Sequence, residues 1–224
     1  MPLQNRVDPF GDIHAVAARG LFTGNRGIIH DPSSRTLLKK RWTTKAWIVC
    51  VCDFQGRRRE PMGRNGPAGG AGWTELFFLD EVTALAAGHR PCFYCQREKA
   101  KQFAAAFAAA SGIAEPRAPD IDARLHRERL ASGGRMVELD RQGLVLLPDG
   151  AVIFDGRNDY AIRGGEALRW SFGGYERAIP FADFGPQEMC VVTPATTIAV
   201  LSRGYRPVWH PSAEAGQAIV GDAA

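Results

Sequence analysis

Apolar positions along the chain fall into short runs of period two and a few stretches of helical period. Ala46 to Phe54 reads AWIVCVCDF. Its alternation sets Trp47, Val49 and Val51 on one face and Ile48, Cys50 and Cys52 on the other, the spacing of a β-strand. Leu76-Phe77-Phe78-Leu79 predicts a short buried strand. Asp80 follows at a helix N-cap position, and Glu81 adds a second negative charge to the first turn. Val82, Leu85 and Ala86 form a helical stripe that Gly88 stops. Gln96 to Ala110 predicts a longer apolar helix.

Elsewhere the signals are shorter. Ile13 to Leu21 predicts a short helix. Thr23 to Gly27 reads as a glycine-punctuated turn into an Ile28-Ile29-His30 strand, and Asp31 to Ser34 as another turn. Pro61 to Gly72, rich in Pro and Gly, predicts a mobile loop. Ser111 to Pro119 is the natural boundary. Beyond it, Asp120 to Leu130 predicts a charged amphipathic helix. Strands are expected at Met136–Leu139, Leu144–Leu147, Ala151–Phe154 and Met189–Val192, with Pro148-Asp149-Gly150 as a hairpin between the second and third. Thr193 and Pro194 open a further helix as N-cap and first residue. It stops at Gly204-Tyr205-Arg206-Pro207, an echo of Gly88-His89-Arg90-Pro91. The tail from Pro211 is small and polar and is expected to fray. Together these elements predict an α+β protein with a module over residues 1–112 and a β-rich half with flanking helices over 113–224.

At 224 residues, 45% hydrophobic and 23% charged, the chain is long enough for a real core. It has no apolar run near the ~20 residues that span a bilayer. The start, MPLQNRVDPFGD, lacks the apolar stretch of a secretory signal, so a cytoplasmic protein is expected. Net charge is +4, unevenly placed: Arg35 to Arg64 carries +7 and the remainder −3. Arginine outnumbers lysine 23 to 5, which suits bidentate phosphate contact but also follows from a GC-rich genome. Lys39, Lys40, Arg41, Arg57, Arg58 and Arg59, interleaved with Trp42 and Trp47, are the candidate nucleic-acid contacts. The alternative is a solvated hairpin with its charges outward.

Five cysteines is an odd number, which in a reducing compartment favours a metal over a disulfide framework. Cys92 and Cys95, two residues apart behind Pro91, can present two sulfurs to one tetrahedral ion. Two buried thiols or a redox pair are the alternatives. A structural zinc needs four ligands, and Cys50 or Cys52 is available, one of them turned inward. Asp122 and His126, at i and i+4 on one helical face, form a candidate acid–base pair, with a salt-bridged surface helix as the plain alternative. No phosphate-binding loop, zinc-protease, serine-hydrolase or dinucleotide motif is present.

The run GHRPCFYCQREK resembles the second half of the zinc-binding domain of Ada-type DNA alkylation-repair proteins, and Gly27-Ile28-Ile29-His30-Asp31-Pro32-Ser33-Ser34 is similar to its first half. The resemblance sets His30 at the family's first cysteine and Ser34 at its second, and so makes His30 the third candidate ligand. It implies a zinc knuckle holding an inserted basic strand and a link to DNA. Histidine at the methyl-acceptor position does not carry the family's repair chemistry with it. The resulting expectation is a protein with structural zinc that engages DNA, in repair or defence. The rivals are an enzyme on nucleic acid using Asp122 and His126, and an interaction module whose zinc serves folding alone.

Overall fold

A computed structural model describes residues 1–184 and 188–215. The architecture is α+β, with one six-stranded sheet in each half of the chain. Strands β1 (Arg6–Val7), β2 (Ile13–His14), β3 (Phe22–Asn25), β6 (Ile48–Val51), β7 (Leu76–Phe78) and β8 (Arg90–Pro91) form the first, ordered β2-β1-β7-β3-β6-β8. Between β3 and β6 the chain makes a small hairpin, β4 (His30–Asp31) with β5 (Thr36–Leu37). Helix α1 (Glu81–Ala86) links β7 to β8, and α2 (Arg97–Ser111) and α3 (Ala118–Glu128) follow. The second half contains β9 (Val137–Leu139), α4 (Arg141–Leu146), β10 (Val152–Phe154), β11 (Asp159–Arg163), β12 (Glu166–Ser171), β13 (Gly174–Pro180), β14 (Met189–Val191), α5 (Ala195–Ser202) and α6 (Ser212–Ala215). Its sheet runs β13-β12-β11-β10-β14-β9, entirely antiparallel. Among the described residues no helix is long and apolar enough to cross a membrane.

Helix α1 is where the two halves meet. Val82 and Ala86 pack with Val152, Ala161 and Leu168 of the second sheet. Ala84 packs with Phe22, Val49 and Phe78 of the first. Leu85 joins Phe103, Ile121, Leu125, Val200 and Tyr205 from four further segments. All six of its residues are buried. Such a helix must satisfy its own end groups, and its acidic start does so. Asp80 caps it, accepting from the Thr83 N–H at 2.9 Å and hydroxyl at 2.8 Å. Asp80 also accepts from the Tyr175 hydroxyl at 2.8 Å and the His210 N–H at 3.0 Å. Glu81 accepts from the Tyr205 hydroxyl and from the Val208 N–H at 2.7 Å. Two buried carboxylates thus fasten the segment after α5 to the start of α1. The glycines of the echoed stops, Gly88 and Gly204, both take positive φ, 79° and 94°, which favours glycine.

Several local expectations are corrected. Ile13 to Leu21 is not helical: Val7 pairs with Ile13 and Arg6 with His14, and the Arg6 guanidinium holds the Ala18 carbonyl at 2.5 Å. Thr23-Gly24-Asn25 lies in β3 rather than in a turn. A Cβ on Gly24 would stand 2.3 Å from the Ile48 carbonyl, so glycine here permits close strand approach. Leu144 to Leu146 belongs to helix α4, which Asp140 caps by accepting from Gly143 N–H at 2.7 Å, and Leu147 follows as its extended C-cap. Pro148-Asp149-Gly150 therefore joins a helix to β10 instead of closing a hairpin. Thr193 does not cap α5; its hydroxyl accepts from Val152 N–H at 2.8 Å. The Pro61–Gly72 loop is pinned, with Met62 fully buried and its N–H on Glu75 at 2.9 Å. The tail is held as far as α6, where the Ser212 hydroxyl accepts from Tyr175 N–H at 2.7 Å. Residues 216–224 lie outside the described residues.

Candidate metal centre

The best sequence-predicted strand delivers its promise through register. β6 and β8 pair in parallel, with Ile48 beside Arg90 and Val49 beside Pro91. The next pair in that register is Cys50 and Cys92. The ladder continues one step, since the Cys92 N–H donates to the Val49 carbonyl at 3.0 Å. The same carbonyl accepts from the Gln96 side-chain amide at 2.8 Å, and the Gln96 N–H donates to the Cys92 carbonyl at 3.0 Å. The chain is thereby turned tightly between Cys92 and Gln96, and Cys95 folds back over Cys92.

The three sulfurs of Cys50, Cys92 and Cys95 lie within 4.8 Å of one another. Thiolates on one tetrahedral zinc, each ~2.3 Å from the ion, stand about 3.8 Å apart. The donors are soft, nearly converged, and fit a single thiophilic ion. The Tyr94 N–H reaches Cys92 Sγ at 3.4 Å. Thiol protons of Cys50 and Cys95 and this N–H hold Cys92 far below the ordinary thiol range, while contacts with Cys92 and Cys95 push Cys50 up. Cys95 is raised too, the lowering contact with Cys50 being outweighed by Cys92 and burial. Hydrogen bonds aimed at a sulfur favour the thiolate, which is the form that binds a metal.

All three cysteines line a cavity of about 670 Å³. Its basic wall is Arg57, Arg58 and Arg59; its aromatic wall is Phe54, Trp73, Phe77 and Tyr94. Arg57 donates to the Tyr94 hydroxyl at 3.1 Å and lies 5.3 Å from that ring's centre. Arg59 pairs with Glu75 at 2.6 Å and stands 4.2 Å from the centre of the Trp73 ring. Arg58 is exposed and has no side-chain partner among the described residues. Glu75 is 3% exposed, and beyond Arg59 it accepts from Met62 N–H and the Asn65 amide.

Other expected site residues lie elsewhere. His30 is buried in a different role: its Nδ1 bonds the Thr74 hydroxyl at 2.7 Å and its Nε2 the Gly63 carbonyl at 3.3 Å. Both nitrogens are used by the protein, so the place the resemblance gave His30 at the metal is corrected. Ser34 is exposed and bonds Thr36. Cys52 lines the cavity but stands outside the three-sulfur group. Asp122 lies in a buried pair in which both of its oxygens accept from the Arg90 guanidinium at 2.8 Å. His126 lies edge-on to Trp42 at 4.6 Å, its pKa lowered by burial and by Arg129 and Lys45. Lys39, Lys40 and Arg41 are exposed and do not line the cavity.

The sequence reading missed Trp73, Glu75 and Tyr94. Tyr94 carried a signal, as the exposed aromatic inside CxxC. Glu75 and Trp73 carried none, because only the return of the Pro61–Gly72 loop brings them to the arginines. No protein-family model, curated protein or solved structure matches the chain. The reading of the site rests on its geometry.

Proposed function

We propose that this is a zinc-binding protein that engages nucleic acid, with Cys50, Cys92 and Cys95 holding the ion and the adjoining basic cavity holding the nucleic acid. One observation carries the reading: three converged thiols share a cavity with three consecutive arginines and four aromatic rings. Thiolate donors in tetrahedral arrangement favour zinc among common cellular cations. A cavity of this size matches a small ligand or a single nucleotide and not the width of a duplex. Aromatic rings beside arginines suit a base stacked over a neutralised phosphate. Single-stranded DNA, or a nucleotide drawn out of a duplex, is therefore the favoured partner. The resemblance of the knuckle to Ada-type modules supports the link to DNA. Methyl transfer to residue 30 is not part of the proposal, since His30 is buried and bonded through both nitrogens.

The chain's own residues have distinct parts in this reading. Cys50, Cys92 and Cys95 supply charge and soft donors. Arg58, exposed and without a partner among the described residues, meets a phosphate first. Arg57 holds Tyr94 at the mouth, and Arg59 ties Trp73 and Glu75 together so that the aromatic wall keeps its shape. The test is elemental analysis of purified protein together with a salt titration of a fluorescent single-stranded oligonucleotide. One zinc per chain and an affinity that falls with salt are expected. Metal-free folded protein, or salt-independent binding, would refute the reading.

A further inference from the structure

We infer that the fourth coordination position of this centre is not supplied by the protein but opens into the arginine-lined cavity, where an anionic ligand can take it. The inference rests on the proposed zinc site and goes beyond it, because it makes the ion a ligand-binding centre and not only a structural staple.

Three observations carry it. Among the described residues, the group of converged donors contains three members, all cysteines. Residues 185–187 and 216–224 contain no cysteine or histidine, so no further soft donor comes from there. A zinc that serves structure alone has four protein ligands; three with one corner left over is the pattern of sites where the ion meets a ligand. Second, all three donors line the same cavity, and Cys50 and Cys95 are only half-buried. The uncommitted corner thus faces space and not packed core. Third, the charge of that space is set for an anion. Two of the three arginines are tied to Tyr94 and to Glu75, which leaves Arg58 without a partner among the described residues. The Nη2 atom of Arg59 is buried and also lacks a partner among the described residues. Glu75 is the carboxylate among the lining residues, and it is neutralised by Arg59. Three thiolates leave a divalent site with a net negative charge, and the surrounding guanidinium groups offset it for an incoming anion.

Cys52 is the competing fourth donor. It lies two residues from Cys50, in the bend that follows β6, and lines the cavity, but its sulfur stands outside the converged three-sulfur group. The pairing of β6 with β3 ends at Val51, where Phe22 faces it, and the Cys52 sulfur is not among the donors that lie within 4.8 Å of one another. Ligand entry is a simple exchange: the anion donates a lone pair to the ion, a solvent molecule leaves, and no oxidation state changes.

The experiment uses the full chain loaded with cobalt(II), whose ligand-field bands report the donor set, and with zinc for X-ray absorption. Expected are three sulfurs and one lighter donor, and visible bands that shift saturably with azide. Cys52→Ser should leave both results unchanged. Arg58→Ala should weaken azide about threefold, as loss of one unit charge lining the same cavity in a largely aqueous setting predicts. Four sulfurs with bands insensitive to azide would overturn the inference while leaving the zinc site intact. So would loss of one sulfur in Cys52→Ser, or an azide affinity that Arg58→Ala does not change. A protein that takes up neither metal would overturn the inference and the proposed function together.

Discussion

The N–H of Cys92 donates to the carbonyl of Val49 at 3.0 Å, and this one bond sets the first cysteine of the CxxC turn beside Cys50 on the neighbouring strand. Because β6 and β8 run parallel, the strand before the knuckle and the strand inserted ahead of it arrive at the centre together. A slip of one residue would turn Cys50 to the opposite face, into the core that holds Val49. The convergence of Cys50 with Cys92 and Cys95 is thus a consequence of sheet register.

The sheet that supplies this register hangs on buried acid groups at the start of α1. Asp80→Ala removes a helix cap and strands the Tyr175 hydroxyl and His210 N–H. It should cost about 3–5 kcal/mol, a cap and two buried partners together. Urea denaturation measures the loss, and limited proteolysis should show earlier cleavage between Tyr205 and Ala215.

Trp47 is fully buried, with the guanidinium carbons of Arg26 and Arg129 at 4.1 and 4.4 Å from its ring centre. Burial above all lowers both arginines to about 9. Trp47→Ala should therefore cost more than the about 3–5 kcal/mol of an ordinary buried aromatic, because two buried cations lose the ring they face. Trp47→Phe should recover most of the loss in the same denaturation series.

Asp159 gives the protein a pH-dependent stability. Burial first, then the charges of Asp8 and Asp155, raise it to about 7. The folded state then holds a proton that the unfolded chain releases near the usual ~3.9. Stability due to this group is full below ~3.9 and falls as pH rises to about 7. Asp159→Asn should raise the melting temperature at pH 8 and leave it nearly unchanged below pH 4. Melting curves at the two pH values decide it.

Arg58 and Arg59 should separate binding from folding. Arg58→Ala should leave stability within about 0.5 kcal/mol, and reduce the slope of log affinity against log salt on single strands by about 0.7. Arg59→Ala breaks a 2.6 Å pair with the buried Glu75 and frees the loop through Met62. It should lower stability as well as affinity. Salt titrations beside urea melts read both.

What was legible in the sequence follows from where information is local. Asp80 as a cap, the β7–α1–Gly88 succession, the alternation of 47 to 52 and the CxxC pair depend on neighbours in the chain, and each appears as expected. Leu144–Leu147 was misread because a four-residue apolar run has no period, and the cap at Asp140 decided for helix. The choice between Cys50 and Cys52 was open from sequence, since both share a face; the parallel pairing with β8 selects Cys50. The place of His30 was inferred from a resemblance and not from its surroundings. Its partners Thr74 and Gly63 lie 44 and 33 residues away, beyond any local pattern.

The most direct test of the metal centre is zinc content by elemental analysis across four variants of the full chain, after dialysis against a mild chelator. Wild type, Cys52→Ser and His30→Gln should each hold one zinc per chain, and Cys50→Ser and Cys92→Ser should hold none. Structural zinc contributes on the order of 10–16 kcal/mol of apparent binding free energy in small modules, so losing one of three thiolates should be unmistakable. Full zinc in Cys50→Ser, or its loss in His30→Gln with the fold intact by circular dichroism, would contradict a centre built from Cys50, Cys92 and Cys95.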